Sequence, residues 1–197
     1  MNLLGGLLLA LASLATICLL VSSAPRKSLT TRQIARYGVY AALAIALGIV
    51  ESFLPDFLLP GMKIGFANLA ILVVLYAEGF LPALVISLVR VALIGMLRGN
   101  LLSMGGWMSF GGAFAAILAM LAIKALLKKA SPISVSLAGA VAHVIAQMGI
   151  CLIYIRNVEL LLYLPLLLVS ATVSGLFIGF IALRIIKILG AKPKPSL

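Results

Sequence analysis

The fold of this chain is decided by two apolar stretches that follow one another almost without a break, IGFANLAILVVLYAEGFLPALVISLVRVALIGMLR at residues 64–98. Each stretch has the composition of a membrane helix, and they are separated by Gly79-Phe80-Leu81-Pro82. Glycine and proline interrupt helices, and a break this short allows only a tight turn. The segment therefore predicts an antiparallel hairpin of two helices within a membrane.

The composition of the whole chain is that of a membrane protein. Of its 197 residues, 64% are apolar and 10% are charged, whereas soluble domains are roughly half apolar and a quarter charged. Four acidic residues, one histidine and two cysteines are too few for paired-carboxylate hydrolases, aspartate-rich metal sites or thiolate clusters. We therefore expect an integral membrane protein that is not an enzyme and that has neither a metal nor a cofactor.

The lengths of the apolar segments predict how the chain is organised into membrane helices. A hydrocarbon core about 30 Å thick needs about 20 apolar helical residues, and this length gives seven candidate spans, 3–23, 37–55, 64–80, 82–98, 105–127, 134–155 and 160–187. We expect an all-α polytopic membrane protein with four parts: an N-terminal transmembrane helix (1–25), a basic cytoplasmic linker (26–36), a six-helix transmembrane domain (37–190) and a cytoplasmic tail (191–197).

The basic residues predict the orientation in the membrane, because Lys and Arg accumulate in short loops on the cytoplasmic side. If the first span starts outside, 11 basic residues fall on the cytoplasmic side and three on the outer side, with Arg90 in mid-membrane. We therefore expect a multi-pass protein of the plasma membrane with an outer N-terminus and a cytoplasmic C-terminus. The net charge of +11 is explained in this way, and no nucleic-acid partner is expected.

The first span has an alternative interpretation as a cleaved signal peptide. The segment Met1-Asn2-Leu3-Leu4 contains no basic residue, although signal peptides begin with a positively charged region. Cleavage and export would also place the basic linker on the wrong side of the membrane. We therefore expect an uncleaved helix ahead of the six-helix domain.

Four blocks of sequence occur in a characteristic order, PGMKIGFANL at 60–69, LVRVALIG at 88–95, SFGG at 109–112 and AGAVAHVIAQ at 138–147. In these blocks the chain resembles the Gx transporter family, also named heptaprenyl diphosphate synthase component I. That family is grouped with the substrate-binding S components of energy-coupling-factor vitamin transporters. The N-terminal helix departs from the six-helix pattern of this group.

The resemblance implies a membrane subunit that captures a small molecule at the outer face and docks on a transmembrane coupling subunit with ATPases. The expected ligand is a small, anionic or amphipathic metabolite such as a vitamin, a quinone precursor or an isoprenoid precursor, and membrane lipid surrounds the bundle. Two alternatives are a non-catalytic component associated with heptaprenyl diphosphate synthesis and a membrane scaffold for redox partners. Prenyl diphosphate synthases hold Mg²⁺ with aspartate-rich motifs, and Asp56 is the single aspartate of this chain, so it cannot carry that reaction alone.

Arg90 is the most informative candidate site residue. A cation near the middle of a span costs about 2.5 to 3.5 kcal/mol on insertion scales and usually faces a cavity or a partner. One hypothesis is that its guanidinium binds an anionic group of the substrate through a bidentate contact. The alternative is a structural ion pair with Glu51, about one turn inside the outer end of the second span. The two roles are compatible.

His143 and Gln147 are four residues apart and therefore lie on one face of a helix, and Tyr154 continues nearly the same stripe toward the outer surface. This stripe is interpreted as a polar wall of the ligand pocket. Hydrogen bonds to neighbouring helices are the alternative, a common packing device in membranes. Metal binding is not expected, because one histidine offers too few ligands.

Further candidates come from the outer loops. In the related S components the first outer loop covers the ligand, so the resemblance makes Lys63 and Asn68 candidate contacts, with a plain connector as the alternative. Trp107 follows Gly105-Gly106 where a span re-enters the membrane. It is either a stacking surface for a ring or an anchor of the interfacial aromatic belt, the commoner role.

Small residues recur every four positions, Gly38, Ala42 and Ala46, along the cytoplasmic half of the second span. Such stripes let another helix approach closely, and S components dock onto their coupling subunit with an alanine stripe on this helix. Packing inside the monomer is the alternative. A similar pair, Gly175 and Gly179, is expected to pack internally. Glu78, near the cytoplasmic end of its helix, is expected to be solvated or to snorkel to the membrane surface.

Overall fold

The computed structural model describes residues 30–53, 65–127 and 130–190, and all regular secondary structure in these ranges is helical. The predicted first span, Lys63 and the tail 191–197 lie outside the described residues. The helices are α1 (Thr31–Phe53), α2 (Phe66–Ala77), α3 (Phe80–Leu97), α4 (Met104–Leu126), α5 (Pro132–Ile155) and α6 (Leu164–Ile188), with a 3₁₀ helix at Val158–Tyr163 before α6.

Within the described ranges, five helical segments are long and apolar enough to cross a membrane, Thr31–Glu51, Phe80–Leu97, Met104–Leu126, Pro132–Ile155 and Val158–Ile188. Their positions match five of the predicted spans to within a few residues, apart from the early start of the first. The prediction of an all-α polytopic membrane protein is thereby confirmed. Helices serve this purpose because each satisfies its own backbone hydrogen bonds where no water is available.

Helix α1 begins earlier than its apolar residues indicate. The predicted linker extends to residue 36, but the helix starts at Thr31, so residues 31–36 are helical. The side chain of Gln33 accepts hydrogen bonds from the Thr30 backbone N–H at 3.0 Å and from its hydroxyl at 3.1 Å. This threonine and glutamine spacing is that of a capping box, which starts a helix irrespective of hydropathy.

Helix α2 is short and lies in the centre of the protein. Its 12 residues span about 18 Å, well under the thickness of the hydrocarbon core. Eight of them are buried, and Leu72, Val74 and Leu75 have no exposed surface. A helix that is apolar on all sides is buried either in lipid or among other helices, and here other helices surround it.

The two ends of α2 are stabilised by charged side chains of other helices. At its start, the Glu51 carboxylate of α1 accepts hydrogen bonds from the backbone N–H groups of Gly65 and Ala67. At its end, the Lys124 ammonium of α4 donates to the carbonyl of Leu75 at 2.8 Å. An anion at the N-terminus and a cation at the C-terminus are the favourable arrangement for the helix dipole.

Glu78, the residue directly after α2, forms a salt bridge with α1. Arg36 of α1 pairs with Glu78 at 3.0 Å, and the glutamate side chain is 2% exposed. The expectation that Glu78 is solvated or snorkels to the membrane surface was therefore wrong, because the chain turn after α2 brings it against α1. Together with Glu51, this contact holds α1 antiparallel to α2 at both ends.

Helices α5 and α6 pack closely through glycines. A Cβ atom on Gly175 would lie 3.0 Å from the Cβ of Ala140, and one on Gly179 would lie 2.7 Å from the Cα of Ile133. These distances leave no room for a side chain. The internal packing expected for Gly175 and Gly179 is therefore present, and it brings α6 beside α5 along one wall of the cavity described below.

Candidate functional site

A cavity of about 140 Å³ lies among the helices, and every helix from α1 to α6 contributes to its lining. Polar side chains are unusually frequent on its walls for the interior of a membrane protein. The lining includes Glu51, Asn68, Arg90, Arg98, Asn100, Ser109, Ser136, His143, Gln147, Ser170 and Ser174. A concave site with a few convergent polar groups is the usual form of a small-molecule site.

Arg90 lies in the wall formed by α3 and is 6% exposed. Its Nε atom is buried and has no hydrogen-bond partner among the described residues. The space for the side chain depends on Gly48 of α1, since a Cβ atom there would collide with the Ile94 side chain and lie 3.8 Å from the Arg90 Cδ. An uncompensated donor on a buried cation is costly, which makes it a candidate contact for a ligand.

Glu51 lines the same cavity but does not form the predicted ion pair with Arg90. The salt bridges in the described part of the chain do not include this pair, and the Glu51 carboxylate is instead bonded to the start of α2. The sequence shows that both charges lie at membrane depth, but it does not show that backbone N–H groups would compete for the carboxylate.

His143 and Gln147 both line the cavity from α5, as their spacing predicted. They pack against Gly112 of α4, where a Cβ atom would lie 2.9 Å from two ring atoms of His143 and 3.0 Å from the Gln147 Cγ. Gly112 therefore fixes how closely α4 approaches these side chains. Tyr154, predicted at the mouth of this stripe, is 40% exposed and is not among the described residues that line the cavity.

Asn68 of α2 also lines the cavity. Trp107 of α4 is partly buried and is not part of the described lining, although its neighbours Gly106 and Ser109 are. The structure thus brings five predicted site residues together, Glu51, Asn68, Arg90, His143 and Gln147. The binding roles assigned to all of these residues stay predictions.

Several lining residues were not among the predicted site residues. Arg98 had been counted as an outer-side charge, while Ser170 and Ser174 lie inside a strongly apolar span. The spacing of these two serines, one helical turn apart on a single face, is the signal that could have indicated them. It is weak, because serines in membrane helices commonly bond to their own backbone.

The small residues Gly38, Ala42 and Ala46 of α1 are exposed, and no atom lies within 4 Å of a Cβ placed on Gly38. Val39, Leu43 and Val50 on the same helix are also at least 50% exposed. This face of α1 is not used for packing against the described helices of the bundle. The partner contact assigned to it stays a prediction.

The described residues contain no group of three or more His, Cys, Asp or Glu that could hold a metal ion. The donors at the cavity are guanidinium, amide, imidazole and hydroxyl groups, which can bind a polar or anionic molecule by hydrogen bonds.

A comparison with protein families matches residues 40–185 to the model for heptaprenyl diphosphate synthase component I. The chain belongs to this family. The match begins within α1 and ends within α6, so it covers the whole set of helices around the cavity. The resemblance seen in the four sequence blocks is confirmed for the family under this name.

The description of the heptaprenyl diphosphate synthase component I family refers to one component of a synthase, and so implies a partner. Searches of curated proteins and of solved structures give no match. The family membership and the helices together define this chain as a multi-pass membrane protein of that family.

Proposed function

We propose that this member of the family is the substrate-binding subunit of an importer of the energy-coupling-factor type, for a small anionic or amphipathic metabolite. It binds the metabolite and performs no catalysis. The observation that carries the proposal is Arg90, a buried guanidinium with an unpartnered Nε in the wall of a polar cavity. The resemblance to S components supplies the class of machine.

The charge of Arg90 makes an anion the favoured ligand. Keeping a cation at this depth costs about 2.5 to 3.5 kcal/mol, and Glu51 offsets the cost only indirectly because its oxygens bond to the start of α2. A carboxylate or phosphate can accept two parallel hydrogen bonds from one guanidinium. Binding would therefore satisfy the Nε donor of Arg90 that the protein leaves open.

The cavity is proposed to open toward the outer side of the membrane. Its lining includes the outer ends of helices in the orientation that the basic residues favour, namely Glu51 near the end of α1, Gly65 before α2, and Arg98 and Asn100 after α3. A ligand arriving from outside would reach Arg90 after passing Arg98. Release to the cytoplasm would then require reorientation of the bundle.

The exposed face of α1 with Gly38, Ala42 and Ala46 is the proposed docking surface for a transmembrane coupling subunit. Small residues allow the backbones of two membrane helices to approach closely. The ATPases of that complex would supply the energy for transport. Membrane lipid would cover the same face in the isolated subunit.

The test is mass spectrometry of small molecules that co-purify with the full chain in detergent. Wild type is compared with Arg90→Gln and with the control Arg184→Gln, which removes an exposed arginine of α6 outside the described cavity lining. We expect a stoichiometric small molecule in wild type and in Arg184→Gln, and its loss in Arg90→Gln. Equal retention by all three proteins would contradict the role of Arg90.

The family description favours a second candidate, a non-catalytic membrane component of heptaprenyl diphosphate synthesis. In this case a soluble catalytic chain would bind at the cytoplasmic ends of the helices. The same purification distinguishes the two functions. Retention of a prenyl synthase with no bound small molecule in any of the three proteins would support the second candidate and exclude the first.

A further inference from the structure

One wall of the cavity offers hydrogen-bond donors, and another wall offers hydrogen-bond acceptors. The α3 wall carries Arg90 and ends at Arg98, and guanidinium groups only donate. On α6, the Ser170 hydroxyl donates to the Leu167 carbonyl at 2.8 Å and the Ser174 hydroxyl donates to the Ala171 carbonyl at 3.1 Å. Each serine has one proton to give, so toward the cavity its oxygen can only accept.

The ionised side chains of the described lining set the charge of a suitable ligand. They are Arg90, Arg98 and Glu51; Arg90 is buried, whereas Arg98 is exposed at the end of α3. The Glu51 carboxylate is already bonded to two backbone N–H groups. A single anionic group on the ligand would therefore balance the buried charge of Arg90, which matters because an uncompensated charge is costly at membrane depth.

The volume of the cavity limits the size of the ligand, or of the part of a ligand, that it can enclose. It measures about 140 Å³, close to the roughly 150 Å³ of an engineered protein cavity that holds a benzene molecule. A molecule with about six to eight non-hydrogen atoms is therefore the appropriate size. A complete isoprenyl diphosphate is much larger than this space.

Building on the proposed binding function, we propose that the cavity takes a small hydroxylated monoanion, of which a short hydroxycarboxylate is the simplest member. Its anionic group binds the guanidinium of Arg90. Its hydroxyl groups donate to the Ser170 and Ser174 oxygens on α6. This assignment uses the groups that the protein leaves open on both walls.

Matched probes test the assignment on the full chain in phosphatidylcholine nanodiscs. Propionate, lactate and alanine share one carbon skeleton and differ at the second carbon: propionate has no hydrogen-bond donor there, lactate has a hydroxyl group and alanine has an ammonium group. Valerate, 2-hydroxyvalerate and norvaline repeat this series with a longer chain. Binding is measured by calorimetry and by the shift in thermal unfolding. We expect the hydroxy acid of each series to bind about tenfold more tightly than its two analogues, because each unmatched buried group is penalised.

Three variants assign the contacts. In the double variant Ser170→Ala with Ser174→Ala, the hydroxy acid should lose its tenfold advantage and bind like propionate. Thr172→Val is the matched control, because Thr172 also donates to its own helix, to the Leu168 carbonyl at 2.8 Å, but is not in the described lining. Arg90→Gln should weaken the binding of every carboxylate in the two series, whereas Thr172→Val should weaken the binding of none.

Four outcomes would overturn the assignment. The first is equal binding of propionate and lactate to wild type, and the second is tighter binding of alanine. The third is an unchanged preference in the double serine variant. The fourth is displacement of lactate by added phosphatidylglycerol. The head group of this lipid also carries one negative charge and hydroxyl groups, so displacement would assign the site to lipid.

The outcome for the proposed function is read separately from the co-purified molecule. A bound metabolite without a hydroxyl group, lost in Arg90→Gln, would leave the importer proposal standing and refute the hydroxylated monoanion. If lactate binds wild type and Arg90→Gln equally, and neither protein retains a metabolite, both proposals fail.

Discussion

Replacing Gly112 by alanine tests the close packing behind His143 and Gln147. The added Cβ would lie 2.9 Å from the His143 ring and 3.0 Å from the Gln147 side chain. Carbon atoms in good contact are about 3.5 to 4.0 Å apart. The histidine would therefore have to move by about 0.6 Å or more, away from α4 and relative to the cavity wall.

The expected cost follows from two opposing terms. Overpacking of a close contact destabilises the folded protein by about 1 to 3 kcal/mol. Replacing glycine by alanine within a helix stabilises it by about 1 kcal/mol. Gly112→Ala should therefore lower the free energy of unfolding by about 1 kcal/mol. Gly149→Ala on α5 is the control, because nothing lies within 4 Å of its added Cβ, and it should stabilise the protein by about 1 kcal/mol.

The assay is thermal unfolding of both variants in detergent, with co-purified ligand quantified on the same samples. For a chain of this size, 1 kcal/mol shifts the midpoint by about 2 to 4 °C. The two variants should thus differ by about 4 to 8 °C, and only Gly112→Ala should lose ligand. Equal midpoints for the two variants would refute the packing inferred at Gly112.

Three further variants test other parts of the structure. Glu51→Gln should lower the free energy of unfolding by about 2 kcal/mol in the same thermal assay, because an amide brings no charge to the start of α2; an unchanged midpoint would contradict its capping role. Lys124→Met should cost about 1 kcal/mol without loss of ligand, and ligand loss would implicate it in binding. Ala42→Leu with Ala46→Leu should abolish uptake in cells but keep ligand retention, whereas Ala122→Leu, on an exposed position of α4, should transport normally.

The membrane helices could be predicted because the relevant physics is local. In a bilayer each helix must be apolar and about 20 residues long whatever its neighbours are. The spans 105–127 and 134–155 accordingly differ from α4 (Met104–Leu126) and α5 (Pro132–Ile155) by at most two residues at either end. The start of α1 was missed because its capping residues are polar and lie outside the apolar run.

The candidate site was predictable where a polar side chain is out of place in an apolar helix. Arg90, His143 and Gln147 are conspicuous for this reason, and the structure places all three at one cavity. Ser170 and Ser174 are less conspicuous, because a serine can satisfy its hydroxyl on its own helix. Their position in the lining of the same cavity as Arg90 depends on where α6 packs.

The amino-acid sequence by itself determined that this chain is a bundle of membrane helices and that charges lie at membrane depth, since length and hydropathy act within each segment. Tertiary structure alone decided that α2 is enclosed by the other helices. It also decided that Glu51 stabilises the start of α2 and does not pair directly with Arg90. These outcomes depend on which donors and acceptors meet when helices distant in sequence pack together, and no single segment contains that information.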